Sequence, residues 1–290
     1  AGLPPLALFA ASIAFPVALF AVIAREIVAG RNWRNLKVLG VVGVIIAAQT
    51  LFHIEAAKFG RAEYGARLAI GALILLILII GGRIIPSFTR NWIKRENPGP
   101  EPKEFGAFDK AAMIVGGVAL AFWTAAPALP PAHVAIGLLL VVAALVHAMR
   151  LARWAPLRTF REPLVAVLHV AYAFIPLGFA LSGFALLAER ADFSTAGLHA
   201  FTAGAIGLMT MAVMTRASRG HSGRPLTAPP GTQAIYLLIV AAALARICAA
   251  LHPALAAPLL SLAAVTWTLG FACFALLYGP MLLSAPPERG

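Results

Sequence analysis

Along this chain, runs of about twenty apolar residues alternate with short polar joints, and the runs show no polar stripe of the kind a water-soluble helix turns to solvent. A helix crossing the hydrocarbon of a bilayer needs about 20 mainly apolar residues. Nine runs meet that length: 5–24, 36–54, 66–85, 108–128, 132–150, 163–187, 195–215, 232–251 and 255–278. The clearest is LAIGALILLILII (68–80), bulky and uninterrupted. Prolines set the tightest joint, because PALPPAH (127–133) cannot continue a helix and so ends the fourth run and starts the fifth. The longest joint, 86–109, contains ENPGPEPKEFG, whose proline and charge content predicts a mobile connector. No repeat of 20–50 residues stands out, although the third and seventh spans both end in a Thr-Arg pair, Thr89–Arg90 and Thr215–Arg216. The pattern therefore predicts an all-α, polytopic transmembrane bundle forming one domain over 1–290, with the lipid bilayer as its solvent.

Composition agrees: 61% of residues are hydrophobic and only 12% charged, too apolar for a chain that faces water. The net charge of +12 raises the question of nucleic acid. Its placement answers no, since the cations lie in short joints between apolar spans rather than along a groove-reading helix. Their distribution is lopsided. Of 23 Lys and Arg residues, 18 fall in, or within three residues of, the joints after spans one, three, five and seven or in the tail (Arg289), against 4 in or beside the even-numbered joints, with Arg246 inside the eighth span. By the positive-inside rule the odd-numbered joints are cytoplasmic and residue 1 lies on the other side. The chain opens AGLPP, without an initiator methionine or a basic leader, and is expected to be processed or to be an excerpt of a longer protein. Cys248 and Cys273 lie inside apolar spans without metal-ligand spacing and read as packed thiols.

The candidate chemistry rests on histidines. An ionisable side chain in hydrocarbon is costly and is by default a candidate for function. His53, His133, His199 and His252 fall at the outer ends of their spans, while His147, His169 and His221 fall toward the inner side. The two ends of a span are separated by about 25–30 Å, so a bis-histidine site must draw its members from one side. On the outer side His199 leads, followed by small residues that leave room for a flat cofactor; His53 is its natural partner, with Glu55 available to fix the imidazole tautomer. On the inner side His169 shares a helix face with Tyr172 at i+3, above a kink at Pro176, whereas His147 reads as snorkelling to the interface. His221 lies in SRGHSGR, where Arg216, Arg219 and Arg224 suit carboxylates such as haem propionates, or lipid phosphate. Arg83, in GGRIIPSFTRN (81–91), sits within the third span beside two glycines that allow close packing around a buried charge, and either pairs with an anionic cofactor or snorkels. Arg246 in the eighth span poses the same question. Met209, Met211 and Met214 read as packing rather than copper ligands. CxxCH, a Walker A loop, GxGxxG after a strand and HExxH are all missing from the sequence, and no acid sits mid-span to relay protons.

GGRIIPSFTRN (81–91) and LHAFTAGAIGLMTMAVMTRASRGHSGRPL (198–226) resemble the signature segments of the NnrS family. RNWRNLKVL (31–39), LFH (51–53), VLHVAYAFIPLG (167–178) and LLYGPMLL (276–283) fit the same family in the same order, so the resemblance covers nearly the whole chain. It implies a bacterial inner-membrane protein of about twelve helices that binds haem and copper and protects against nitric oxide and nitrosative stress, with nitric oxide as its small-molecule ligand. It favours His53, His169, His199 and His221 as metal ligands over His133, His147 and His252. It does not say which binds iron and which copper, nor whether nitric oxide is turned over or only bound. The sequence departs from the family pattern in lacking some three N-terminal helices with a WHAHE-like segment, which leaves an outer metal site incomplete if that segment contributes to it. The competing reading of the same arginines and broken helices is a transporter or permease with an Arg-lined substrate site.

Overall fold

With no water to satisfy backbone N–H and C=O groups in hydrocarbon, each apolar run closes its own hydrogen bonds as a helix. The computed structural model describes residues 4–283, and no strand occurs among them. Nine helices among the described residues are long and apolar enough to cross a membrane. They are α1 (Pro5–Ala29), α2 (Leu36–Phe59), α3 (Tyr64–Glu96), α4 (Ala107–Ala125), α5 (His133–Ala152), α6 (Pro163–Leu187), α7 (Ala191–His221), α8 (Pro230–Leu251) and α9 (Ala256–Leu283). Each expected span corresponds to one of these; Arg289, counted with the basic joints, lies outside the described residues.

The joints follow local chemistry. Gly60 ends α2 in the left-handed region at φ 68°, where a Cβ would be strained. Between α4 and α5 the proline joint forms two short 3-10 turns, Ala126–Ala128 and Pro130–Ala132. The connector expected over 86–109 is shorter than its composition suggests, because α3 stays helical through Glu96 despite Pro86. The remaining stretch is tied down. Arg158 donates to the carbonyls of Asn97 and Pro98, Arg90 pairs with Glu101 at 3.3 Å, and Lys103 N donates to Arg153 O at 3.0 Å.

Successive spans pack against one another, and α6 and α7 form the centre, flanked by α3, α5 and α8. They are also the most buried spans, whereas none of the apolar window of α1 is buried. Lipid supplies no hydrophobic drive for helices to associate, so close fit does the work, and small residues permit it. At the α5–α6 crossing a Cβ on Gly183 would lie 2.8 Å from the carbonyl oxygen of Gly137, so the two backbones all but touch. Two spans depart from α geometry: Ile77–Gly81 within α3 and Ala200–Gly207 within α7 are π-helical. Such widened turns recur at functional sites, and both places carry polar chemistry here.

Candidate functional site

The π turn of α7 begins immediately after His199. Its small residues let neighbouring rings approach the backbone. A Cβ on Gly204 would run into Phe174 of α6, and one on Gly207 would meet Trp267 of α9 at 2.7 Å. On the Trp267 side the turn opens a cavity of 710 Å³ between α7, α8 and α9, lined by His199, Thr202, Arg246, Trp267 and Phe271 among others. That volume lies within the range of small-molecule and cofactor sites, about 300–1,000 Å³. Thr202 returns its hydroxyl to Leu198 O at 2.8 Å, so the polar groups offered to the space are chiefly the half-buried imidazole and guanidinium. No carboxylate among the described residues lies within ion-pair distance of Arg246. A cation at membrane depth without an acidic partner and an imidazole facing the same apolar space can together hold an anionic ligand that also offers a metal or a proton.

A second polar site fills the bundle at the end bearing the basic joints. Arg150 of α5 is fully buried, and its Nε donates to Asp109 Oδ1 of α4 at 3.0 Å. Its Nη1 donates to Leu78 O in the π turn of α3 at 3.1 Å and to the Tyr172 hydroxyl of α6 at 3.3 Å. The same phenol oxygen lies 2.9 Å from His147 Nδ1, within hydrogen-bond distance. The chain Asp109–Arg150–Tyr172–His147 thus joins α4, α5 and α6, with α3 tied in through its backbone. Trp154 covers it, with the Arg150 guanidinium carbon 5.2 Å from the centre of its ring. His147 is fully buried and stacks on Phe179, contrary to the expectation that it snorkels. Of the two glycines of GGRIIPSFTRN, Gly82 does pack against a buried arginine, but it is Arg150 rather than Arg83: a Cβ on Gly82 would lie 2.9 Å from the Arg150 guanidinium carbon, whereas Gly81 faces Ile77 and Ile85 and Arg83 is exposed. The readable signal was His147 and Arg150 at i, i+3 with an acid, Asp109, at the matching end of the neighbouring span.

The remaining expected site residues are distributed as follows. His53 is half-buried, with Nε2 2.7 Å from Ser12 Oγ of α1 and its ring edge-on to Phe9. Its contacts lie on α1 and α2, whereas the His199 cavity is walled by α7 to α9, so the expected outer pair is not brought together. Glu55 does not serve His53; its carboxylate accepts from Tyr64 N and Gly65 N at 3.2 and 2.7 Å and caps the start of α3, where backbone N–H groups lack partners. His169 is buried with both ring nitrogens engaged: Nδ1 donates to Val165 O at 3.1 Å, and Nε2 lies 3.3 Å from Thr89 Oγ1. Tyr172 turns away from it toward His147. His221, expected in the joint, is the last residue of α7, and it and Arg224 just beyond are exposed, while the buried Arg219 donates to Pro225 O at 2.9 Å to fold that joint. Arg216 lies over the Phe88 ring at 3.9 Å, beside Glu162 in a recess of 140 Å³. Seventeen residues of helix separate it from His199, roughly 25 Å, so these arginines serve a different end of the molecule from the cavity. Met209 and Met211 pack in the core. Among the described residues no group of three or more His, Cys, Asp or Glu converges to hold a metal ion.

Nine apolar spans among the described residues, two of them widened by π turns, with polar groups at both ends of the bundle and a cavity between α7, α8 and α9, define a multi-pass helical membrane protein. More narrowly, the family model described as NnrS protein matches residues 1–285, essentially the whole chain, and the chain belongs to the NnrS family. Family membership supports a protein of the nitric oxide response in general terms. Neither the curated proteins nor the solved structures contain a significant match.

Proposed function

We propose that this chain is a haem-binding protein of the bacterial inner membrane that limits nitric oxide damage by binding the gas at a metal centre between α7, α8 and α9, with the basic joints in the cytoplasm. One observation supports the reading above others: His199 and Arg246 face a single apolar cavity large enough for a flat cofactor. The residues fit haem. Neutral imidazole is a common axial ligand of haem iron, a guanidinium suits a propionate carboxylate, and Trp267 and Phe271 offer flat apolar walls. Bound there, haem would supply an iron that takes up a diatomic ligand. The protein's own contribution is binding and exclusion: His199 orients the group, Arg246 balances its carboxylates, and the apolar lining admits a small uncharged gas while keeping water sparse. Copper, implied by the family resemblance, finds no comparable ligand set, since no three donors converge among the described residues; no step is assigned to it. Purified full-length protein tests the reading. Wild type should show a Soret band that shifts with nitric oxide, and His199→Gly should lose it and regain it with added imidazole. A folded, colourless, iron-free wild-type protein would overturn the proposal and favour transport of an anion at Arg246.

A further inference from the structure

Neither polar site uses Arg83, although it lies within α3. Gly82 turns toward Arg150, and the next residue is rotated by about 100° around the helix, which points Arg83 away from the bundle centre. There it enters a groove of 460 Å³ between α1, α2 and α3 at the basic end. The groove has two chemically distinct parts. Its rim is polar, with Asn32, Asn35, Glu26 and Arg83, while Ile23, Ile80 and Ile84 among others form its apolar wall. Glu26 is paired with Arg25 at 3.5 Å, and no carboxylate among the described residues is within ion-pair distance of Arg83. Lys37, exposed on the first turn of α2, is close enough for Arg83 to repel it. Both cations lie near the polar end of a greasy slot, Arg83 in its lining and Lys37 outside it, and an anion held at Arg83 would offset both charges.

We infer that this groove binds an anionic phospholipid of the leaflet at the basic end, with its phosphate at Arg83, where Lys37 adds a second positive charge nearby, and an acyl chain along the wall formed by Ile23, Ile80 and Ile84. Basic pockets between transmembrane helices on the cytoplasmic side bind such headgroups. The shape argues against a free anion, which needs no apolar wall, and against a peptide, which would bring unpaired backbone groups into hydrocarbon. The inference is independent of the haem reading.

Trp33, 56% exposed between Asn32 and Arg34, reports on the groove mouth. Full-length protein is reconstituted in phosphatidylcholine vesicles containing either bromine-labelled phosphatidylglycerol or bromine-labelled phosphatidylcholine. The Trp33 signal is isolated by subtracting the Trp33→Phe protein. The anionic probe should quench this signal at a lower mole fraction than the zwitterionic one. Arg83→Gln with Lys37→Gln should reduce the preference by about thirty-fold, from about five-fold per cation, and Arg83→Lys should retain most of it. Excess inorganic phosphate should not displace the lipid. Equal quenching by the two probes in wild type, a preference that survives the double substitution, or displacement by phosphate would overturn the inference. The wild-type comparison decides the matter even if the double variant does not fold. Loss of a Soret band in a well-folded Arg83→Gln protein would also overturn it, by giving the guanidinium to a cofactor instead.

Discussion

Asp109→Asn removes one charge from the most deeply buried ion pair while keeping the shape of the side chain. Arg150 is then left fully buried with the Leu78 carbonyl, the Tyr172 hydroxyl and the Trp154 ring, but no anion. Breaking a buried pair by removing one partner costs about 3–5 kcal/mol, because the other charge stays desolvated. Arg150→Met is expected to cost less, about 2–3 kcal/mol, since Asp109 still accepts from Gly106 N at 3.2 Å and has Arg153 within 3.9 Å at a partly exposed position. Removing both charges together leaves no orphan, so Asp109→Asn with Arg150→Met should fall within about 1–2 kcal/mol of wild type, far from the sum of the singles. In detergent, a change of 1 kcal/mol moves the midpoint of thermal unfolding by about 2–4 °C for a chain of this size, so Asp109→Asn should unfold about 6–20 °C lower. Purified single and double variants in one detergent supply the cycle. Additive losses, or an Asp109→Asn protein as stable as wild type, would refute the claim that the pair is electrostatically closed off from water and headgroups.

Three further outcomes follow from the same geometry. Gly82→Ala should destabilise by about 1–3 kcal/mol by driving a methyl group into the Arg150 guanidinium, whereas Gly117→Ala, whose Cβ meets only Leu75 Cδ1 at 3.9 Å, should be close to neutral in the same melt. Tyr172→Phe should cost about 1–3 kcal/mol by leaving His147 Nδ1 and Arg150 Nη1 short of a partner, and restoring stability with His147→Leu in the same protein would confirm that the hydroxyl serves the imidazole. His53→Ala should leave the cofactor spectrum unchanged while weakening the α1–α2 contact through Ser12. Equal spectral loss in His53→Ala and His199→Ala would instead restore the pairing expected from their shared side of the membrane.

Much of the fold was legible before any coordinates. The demand of a bilayer is local, about 20 apolar residues that close their own hydrogen bonds, so each span could be counted from its own sequence. The proline joint at 127–133 followed from chemistry carried by its own residues. Site assembly was not local in this way. Spans that are apolar all round carry no stripe to say which face turns inward, so His147 and Arg150 could be placed at one end of α5 but not aimed. The same limit let Arg83 stand in for Arg150, since each lies near the basic end of its span and only the packing of Gly82 against α5 distinguishes them. Glu55 was placed near His53 by adjacency along α2, yet the unpaired N–H groups at the start of α3 claimed it.

By itself, then, the sequence determined nine helices, among the described residues, long and apolar enough to cross a membrane, and that the imidazoles and guanidiniums gather at two levels. The tertiary structure decided which of them meet: His199 with Arg246 across a cavity, and Asp109, Arg150, Tyr172 and His147 in a buried chain. The reason is physical: a side chain's depth is fixed by its position along one helix, but its partners are fixed by the rotation and crossing of several, and those depend on small residues and widened turns whose effect exists only between helices.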